Sequence, residues 1–299
     1  MILTGLHLLL TYKCNFECDH CFVWGSPWQQ GTMTLAQIED ILEQGRELGT
    51  VEWVYFEGGE PCLFYPVLLR AVCRASDLGF RVGIVTNGYW AIAREDALEW
   101  LRPFAGRVDD LSISNDALHG GDIETECALI AERSAQELSI PVATIRIAPP
   151  DAPDVASPSG QIPPGESGVR FRGRAAEKLV PGVRLQSADG MTECPFENLR
   201  DPGRIHVDPF GHLHVCQGIT IGNLFDRPLR EVWEGYDPDR HPIVGPLLRG
   251  GPVALANDHD VPHADRYADA CHMCYETRRA LRDRFSSSLA PDQMYGVEA

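Results

Sequence analysis

The chain has 299 residues, 44% of them hydrophobic, and a formal net charge of −17. This length and composition suffice for one large domain, or one domain with a smaller appendage, built around a sizeable core. The negative charge disfavours nucleic acid and anionic membrane surfaces as partners. No run approaches the roughly 20 apolar residues of a membrane span, and no signal-peptide pattern is present, so we expect a cytoplasmic protein with no membrane partner.

Strand-like and helix-like segments alternate from the start of the chain. Strand patterns span residues 3–10, 51–56, 80–86, 108–114 and 142–147, and helical patterns span residues 34–48, 66–78, 93–101 and 123–138. Thr34 is placed to cap the first helix, and Gly49 is placed to end it. Repeated βα units predict a parallel sheet with right-handed crossovers.

A weaker sixth unit follows, with a strand pattern near residues 168–172 and a short helical pattern at 175–179. The stretch 149–165 before it is rich in Pro, Ser, Gly and Asp and predicts a loop. Six units fall short of the eight that close a TIM barrel. We therefore predict an α/β fold, with a partial (β/α)6 TIM-like barrel over residues 1–185 rather than a doubly wound sheet.

The alternation of strand and helix patterns ends after about residue 185, so we predict a second, cysteine-rich region over residues 186–299. Strand patterns at 204–207 and 212–216 flank Asp-Pro-Phe-Gly and predict a β-hairpin. Short helices are predicted at 229–233 and 274–285, and residues 241–270 show only weak periodicity.

Seven of the ten cysteines fall into two patterned groups. Cys14, Cys18 and Cys21 form a C-x3-C-x2-C pattern directly after the first strand, at the end of a barrel where active sites lie. Three thiolates do not complete a tetrahedral zinc site, and on a [4Fe–4S] cluster they leave one iron open. A zinc site completed by His7 or His20 is the alternative.

The first group resembles the cluster motif of the radical S-adenosylmethionine (SAM) superfamily, with His20 in the variable position before the third cysteine. Glu57-Gly58-Gly59-Glu60-Pro61 ends the second strand, where that family has a Gly-Gly-Glu motif. The resemblance implies a [4Fe–4S] cluster that binds SAM, with His20, Gly58, Gly59 and Glu60 beside the SAM. Glycine allows close backbone approach to a ligand, and carboxylate and carbonyl oxygens suit an ammonium donor.

Further positions follow from the same resemblance. The fourth strand is similar to the ribose-contacting strand of the family, which makes Ser112, Ser114 and Asp116 candidates for SAM binding. Arg146 on the fifth strand is a candidate partner of the SAM carboxylate, because a guanidinium matches a carboxylate as a fork. The stretch 171–175, Phe-Arg-Gly-Arg-Ala, resembles a Gly-Arg-Ala segment of related enzymes.

The second group consists of Cys194, Cys216, Cys271 and Cys274. It resembles the C-terminal cluster region of the SPASM and twitch branches, and four cysteines match the shorter twitch form. The resemblance implies a second, auxiliary [4Fe–4S] cluster held entirely by protein. Structural zinc on the same four thiolates remains the alternative, because spacing does not separate the two.

The resemblance implies an enzyme of the oxidoreductase or maturase type. It would cleave SAM reductively to a 5′-deoxyadenosyl radical that abstracts hydrogen from a peptide side chain or a small molecule, in a net oxidation or crosslinking, with electrons from a flavodoxin or ferredoxin. Cys62 and Asp116 are candidate catalytic residues, although Cys62 also fits a small buried core residue. A non-enzymatic iron–sulfur electron-transfer protein and a zinc-stapled binding module are the alternatives.

Overall fold

The structure, a computed structural model, describes residues 1–119, 122–150 and 165–297. Most of the loop expected at 149–165 lies outside these residues. The strands are β1 (Gly5–Thr11), β2 (Trp53–Gly58), β3 (Arg81–Thr86), β4 (Asp110–Ser114), β5 (Val142–Ile147), β6 (Gly165–Ser167), β7 (Gln186–Ser187), β8 (Arg204–Val207), β9 (His212–Cys216), β10 (Ile219–Asn223) and β11 (Arg266–Tyr267). The helices are α1 (Leu35–Leu48), α2 (Tyr65–Asp77), α3 (Arg94–Leu101), α4 (Asp122–Glu137), α5 (Ala175–Lys178), α6 (Leu229–Glu234), α7 (Val244–Asp258) and α8 (Ala270–Leu281).

One nine-stranded sheet, in the order β10-β9-β8-β1-β2-β3-β4-β5-β6, organises the molecule. Strands β8 and β1 to β6 are parallel, and β9 and β10 add antiparallel at one edge. Strands β6 and β10 do not pair with each other in the part of the chain that the structure describes, so the sheet does not close into a full barrel. The predicted α/β class and partial TIM-like barrel are confirmed.

The first four βα units form as the sequence pattern predicts. All seven residues of β1 are buried, as expected for a central strand covered on both faces. Helix α1 begins with a capping box, in which Thr34 accepts from the Gln37 amide and the Gln37 side chain binds the Thr34 amide. It ends at Gly49, which has the left-handed conformation (φ 80°) of a C-cap glycine.

Two predicted elements need correction, and one helix was missed. The sixth strand covers Gly165–Ser167 rather than residues 168–172, which belong to no strand. Helix α7 was not predicted, because Gly250 and Gly251 have non-helical backbone angles that interrupt its periodicity. Helix α8 begins at Ala270, four residues before the expected start, because the Asp269 carboxylate caps it by accepting from the His272 amide.

The C-terminal hairpin joins the main sheet. Strand β8 pairs in parallel with β1, and β9 returns antiparallel beside β8. The fully buried carboxylate of Asp208 connects the two regions, because it accepts from Tyr12 Oη at 3.0 Å and lies 3.2 Å from His214 Nε2. No helix within the described ranges is long and apolar enough to cross a membrane.

Candidate functional site

The first cysteine group lies on the loop that follows β1. Backbone amides point at two of its sulfurs, from Phe16 to Cys14 Sγ at 3.4 Å and from Gly25 to Cys21 Sγ at 3.2 Å. Burial raises the pKa of the Cys14 thiol to about 12 and raises the pKa of Cys18 further. At Cys14, an amide hydrogen bond to the sulfur together with burial that opposes ionisation fits a ligand of a cationic metal centre.

Arg174 holds this loop in place. Its guanidinium donates to the Cys18 carbonyl at 2.7 Å and to the Gly25 carbonyl at 2.8 Å, and its backbone amide donates to the Cys21 carbonyl at 2.9 Å. The residue before it, Gly173, has a φ of +62°, and a Cβ there would lie 2.5 Å from Phe22 Cα. The Gly-Arg-Ala stretch therefore supports the cysteine loop, a role that the sequence did not indicate.

The Gly-Gly pair after β2 makes room for the same loop. A Cβ on Gly58 (φ +129°) would lie 2.4 Å from the Thr11 carbonyl oxygen, and a Cβ on Gly59 would lie 2.3 Å from that of Lys13. These glycines were expected to let backbone approach a ligand, but the nearest atoms at each Cβ position belong to the chain itself. Both glycines also line the cavity beside the three cysteines, a space of about 120 Å³.

Glu60 is buried, and its carboxylate already has three protein donors. Oε1 accepts from the Cys62 amide and the Thr86 hydroxyl, both at 2.9 Å, and Oε2 accepts from the Asn87 amide at 2.8 Å. A carboxylate has about four acceptor sites, so one remains for a further donor. The side chain of Asn87 lies 3.8 Å from Cys14 Sγ and was not identified from the sequence.

His20 lies at the boundary between the cysteine cavity and a deeper cavity of about 160 Å³, and it lines both. Its ring packs edge-on against His119, with centroids 4.4 Å apart. His119 Nδ1 lies 2.9 Å from Asp116 Oδ2, and Asp116 also accepts from the amides of Leu118 and Ile147. Asp116 therefore positions His119, while neither cavity is lined by Asp116 itself.

The predicted strand-end residues divide between the two faces of the sheet. Ser112 and Ser114 line the deeper cavity, and Ser114 also lines the cysteine cavity. Arg146 is exposed and points away from both cavities, because side chains alternate along β5 and its neighbours Ile145 and Ile147 point inward. The expectation that Arg146 contacts a ligand in the cavity is wrong in this structure.

Cys62 follows the Gly-Gly-Glu segment but does not reach the cavity. It is buried in the 3-10 turn Pro61–Phe64, among apolar side chains such as Ile84 and Trp90 between the sheet and the helices. Burial raises its pKa well above the ordinary value. Its surroundings are those of a core cysteine.

All four cysteines of the second group line one small cavity of about 20 Å³. Cys216 ends β9, Cys194 lies in the segment before β8, and Cys271 and Cys274 occupy the first turn of α8. Burial raises the pKa of Cys194 to about 12, and the pKa values of Cys271 and Cys274 are also raised by burial. The structure brings together the four thiols that the sequence grouped.

Two buried guanidiniums flank this second group. Arg172 Nη1 lies 3.3 Å from Cys216 Sγ and 3.3 Å from Glu197, and Arg278 Nη1 donates to the Gln217 carbonyl at 2.6 Å. Burial opposes the charged form of both, but neighbouring acidic groups raise the pKa of each guanidinium, with Cys216 foremost at Arg172 and the Tyr295 hydroxyl, followed by Cys274, at Arg278. Two positive charges placed against four thiols fit a centre that carries net negative charge.

The sulfur spacing distinguishes the cysteine groups from sites for a single ion. Four sulfurs on one zinc ion lie ~3.8 Å apart, from a zinc–sulfur distance of about 2.3 Å. Within residues 1–119, 122–150 and 165–297, the sets of three donor atoms that all lie within 4.8 Å of one another consist of histidines and carboxylates, and neither cysteine group forms one. The wider spacing fits a multi-iron cluster better than a single ion.

The two cysteine groups are connected structurally. Trp24, in the first cysteine loop, donates from Nε1 to the hydroxyl of Tyr275 on α8 at 2.7 Å. The deeper cavity shares Glu57, His20 and Ser114 with the first cysteine cavity, and it shares Arg172 with the second. Shared lining residues therefore link the cavities beside the two cysteine groups through the deeper cavity.

Residues 8–120 match the family model of the Radical SAM superfamily. The chain is 32% identical over 133 residues to the S-adenosylmethionine-dependent nucleotide dehydratase of Selenomonas ruminantium, which covers 44% of this chain and 45% of that protein. It is 26% identical over 111 residues to the putative peptide biosynthesis protein YydG of Bacillus subtilis, covering 37% and 35%. It is 39% identical over 88 residues to the PqqA peptide cyclase of Streptomyces rochei, covering 28% and 23%.

The chain therefore spans less than half the length of each of these three curated relatives. Among solved structures, SuiB of Streptococcus suis, bound to S-adenosylmethionine, matches with a TM-score of 0.53 and 14% identity, covering 80% of this chain and 67% of that one. The similarity to SuiB concerns the fold alone. The family match over residues 8–120 confirms the resemblance to the radical SAM superfamily drawn from the first cysteine motif, with its [4Fe–4S] and S-adenosylmethionine cofactors.

Proposed function

We propose that this chain is a radical SAM enzyme of the SPASM-type branch, and that it oxidises or crosslinks a peptide side chain held between its two cysteine groups. When bound, the cluster and SAM supply an electron transfer that breaks the sulfonium C–S bond and yields a 5′-deoxyadenosyl radical able to abstract hydrogen from carbon. The observation that carries the proposal is the cavity of about 160 Å³, which shares lining residues with the cavity beside the first cysteine group and shares Arg172 with the cavity of the second.

We assign the SAM-binding cluster to Cys14, Cys18 and Cys21. Arg174 would keep their loop against the barrel, and the amides of Phe16 and Gly25 would hydrogen-bond the bound sulfurs. These contacts hold the loop that carries the three sulfurs, while the cavity beside it stays open for a further ligand.

We assign SAM contacts to the residues that line this open side. Gly58 and Gly59 present backbone there, Ser114 presents a hydroxyl, and His20 presents a ring at the passage to the deeper cavity. Glu60 is buried behind this side and lines neither cavity, so we assign it to holding the Thr86 hydroxyl and the Asn87 amide, both of residues that line the cavity, with one acceptor site left over. In this proposal Ser112 faces substrate, because it lines the deeper cavity and not the first cysteine cavity.

We assign a second [4Fe–4S] cluster to Cys194, Cys216, Cys271 and Cys274. A cluster with four thiolates carries about two negative charges in its oxidised state, which the guanidiniums of Arg172 and Arg278 would balance. Since Arg172 also lines the deeper cavity, it would lie between the second cluster and the substrate. This arrangement suits a centre that accepts an electron in a net oxidation.

The peptide substrate is inferred from relatives whose names refer to peptides, the PqqA peptide cyclase and the peptide biosynthesis protein YydG. We propose a flavodoxin or ferredoxin as electron donor and the cytoplasm as the location. We also propose residues 1–185 as the radical SAM barrel and 186–299 as the auxiliary-cluster region, which supplies β8 to β10 to the shared sheet.

The test is the incubation of reconstituted, reduced protein with SAM, with 5′-deoxyadenosine measured by chromatography. The proposal expects 5′-deoxyadenosine from the wild type and none from Cys18→Ala. A matched control, Cys127→Ala, removes a cysteine of helix α4 that lies outside both groups and should retain the activity. An electron-transfer protein or a zinc-stapled module would release no 5′-deoxyadenosine, and that result would refute the proposal.

A further inference from the structure

Three side chains outside the cysteine groups, two of them buried and one half-buried, have no role in the proposed reaction. The donor atoms of His7, Glu57 and His206 all lie within 4.8 Å of one another. Glu57 lies between the histidines, with Oε2 3.4 Å from His7 Nδ1 and Oε1 3.0 Å from His206 Nε2. Two histidines and one carboxylate are a donor set that binds a single divalent metal ion and leaves coordination positions open.

The sheet register explains why these three side chains meet. His7 on β1 is aligned with His206 on β8 and with Tyr55 on β2. Glu57 lies two residues beyond Tyr55, and alternate residues of a strand point to the same face. The three donors therefore come from adjacent strands of one sheet, whose backbone hydrogen bonds fix their relative positions.

In the part of the chain that the structure describes, His7 Nδ1 and Glu57 Oε1 contact the other members of the group at ion-pair distance but without good hydrogen-bond geometry. His7 and His206 are only 5% and 6% exposed, so most of each ring is removed from solvent. Arg204 Nη1 lies 3.3 Å from His206 Nε2, and because a guanidinium only donates, that nitrogen is an acceptor. Two acceptors, His206 Nε2 and Glu57 Oε1, thus face each other at 3.0 Å, an arrangement that a cation between them would stabilise.

We propose that His7, Glu57 and His206 bind a divalent transition-metal ion, with its open positions toward the deeper cavity that all three line. Arg204 would release His206 and turn to Glu197, whose Oε2 lies 3.6 Å from its Nη2. Three protein ligands and open positions are typical of metal sites that bind a substrate rather than of structural sites. A carbonyl, carboxylate or amine of the substrate would complete the coordination, and this last step alone rests on the proposed function.

The test is equilibrium dialysis of the cluster-loaded protein against Zn²⁺, with zinc, iron and sulfide measured in the same sample. We expect about one more zinc per wild-type chain than in His7→Gln, Glu57→Gln or His206→Gln, with affinity in these variants weakened at least ~10-fold. The exposed control His263→Gln should bind zinc like the wild type. Arg204→Gln should bind zinc more tightly than the wild type, because it removes the competing cation.

Equal zinc content in the wild type and the three ligand variants would overturn the proposal, since any zinc present would then be bound elsewhere. If a ligand variant loses iron and sulfide as well, Arg204→Gln decides the question, because it keeps all three ligands. Zinc bound more tightly than in the wild type, with full cluster content, supports the site, and an unchanged zinc affinity overturns it. Because zinc is read without SAM, this result is independent of 5′-deoxyadenosine release. Zinc binding without SAM cleavage would refute only the proposed function.

Discussion

The two cysteine groups differ in ligand number and in the space around them. The first has three cysteines on a loop beside a cavity of about 120 Å³, and the second has four around about 20 Å³. Backbone carbonyls of the first loop accept from one arginine, Arg174, whereas two buried arginines flank the second group. The comparison indicates that one chain can use cysteine to build two kinds of metal centre, one open to a further ligand and one closed. The number of ligands, the volume of the adjacent cavity and the nearby charges make the difference.

The largest expected effect comes from filling the close approach behind the first group. In Gly59→Ala, a Cβ would lie 2.3 Å from the Lys13 carbonyl oxygen, so the cysteine loop must shift. We expect a loss of about 3 kcal/mol of stability, loss of the first cluster's iron and no 5′-deoxyadenosine. Iron analysis and the SAM cleavage assay measure this.

Gly49→Ala is the matched control for that variant. Gly49 has a φ of +80° but no atom within 4 Å of the added Cβ. It should lose about 1 kcal/mol for the left-handed backbone and keep its iron and its SAM cleavage. Equal iron loss in the two variants would show that the loop contact has no special role.

The next largest effect is expected from Arg172→Met, which should change the second cysteine group and leave the first unchanged. Arg172→Met removes a buried positive charge 3.3 Å from Cys216 Sγ and leaves Glu197 without that partner. We expect about 3 kcal/mol lower stability and a lower reduction potential of the auxiliary centre, because negative charge is less compensated. Potentiometry with electron paramagnetic resonance measures the potential.

SAM cleavage in the same Arg172→Met protein should persist, since the first group keeps its ligands. An unchanged auxiliary potential, or a complete loss of 5′-deoxyadenosine with the iron content intact, would contradict the division of roles between the groups.

A smaller effect is expected from Arg174→Lys, which keeps the charge beside the first group. A lysine does not reproduce the fork that donates to the Cys18 and Gly25 carbonyls. Losing one charged hydrogen bond costs about 2 kcal/mol, so the first cluster should form but decay faster, with ~10-fold less 5′-deoxyadenosine. Arg200→Lys, in the exposed ion pair with Asp239, serves as the control. Identical cluster lifetimes in the two variants would show that Arg174 does not stabilise the cysteine loop.

The smallest effect concerns pH and the second region. His241 accepts from the amides of Ile243 and Val244 at Nδ1 and bonds the Thr220 carbonyl through Nε2, which requires the neutral ring. Burial lowers its pKa in the folded protein, so the unfolded chain takes up the proton first as pH falls below about 6.5. Stability from this group is present above that pH and declines below it.

We therefore expect the unfolding free energy to fall between pH 7.5 and 5.5, by at most ~1.4 kcal/mol per pH unit from this one proton. The decline should be smaller in His241→Gln. Denaturant unfolding of the cluster-loaded protein at both pH values measures the unfolding free energy. The same change with pH in His241→Gln and in the wild type would show that His241 does not cause it.

Much of the barrel was predictable because local signals agreed with the global fold. Thr34 and Gly49 bounded α1, and buried apolar runs marked β1 to β5. The two cysteine groups were also found, since their spacing is a local property. The proximity of the first loop and Gly59 was not predictable, because it arises from parallel strand ends meeting in space.

Other features depend on contacts between residues distant in the chain. The pairing of β8 with β1 joins segments about 200 residues apart, and no local pattern encodes it. Arg278 of α8 donates to the Gln217 carbonyl, a contact that the sequence of the helix does not indicate. The outward direction of Arg146, in contrast, was available from the sequence, because Ile145 and Ile147 on either side identify the buried face of β5.

The central claim is that the first cysteine group holds a cluster with one open iron and the second holds a closed one. Iron, sulfide and 5′-deoxyadenosine should be measured together for the wild type, for the triple variant Cys14→Ala/Cys18→Ala/Cys21→Ala, and for Cys271→Ala/Cys274→Ala. We expect about eight irons in the wild type and about four in each variant, with no 5′-deoxyadenosine from the triple variant but continued SAM cleavage by the double variant. An unchanged iron content in the triple variant, or 5′-deoxyadenosine released without its three cysteines, would contradict the claim.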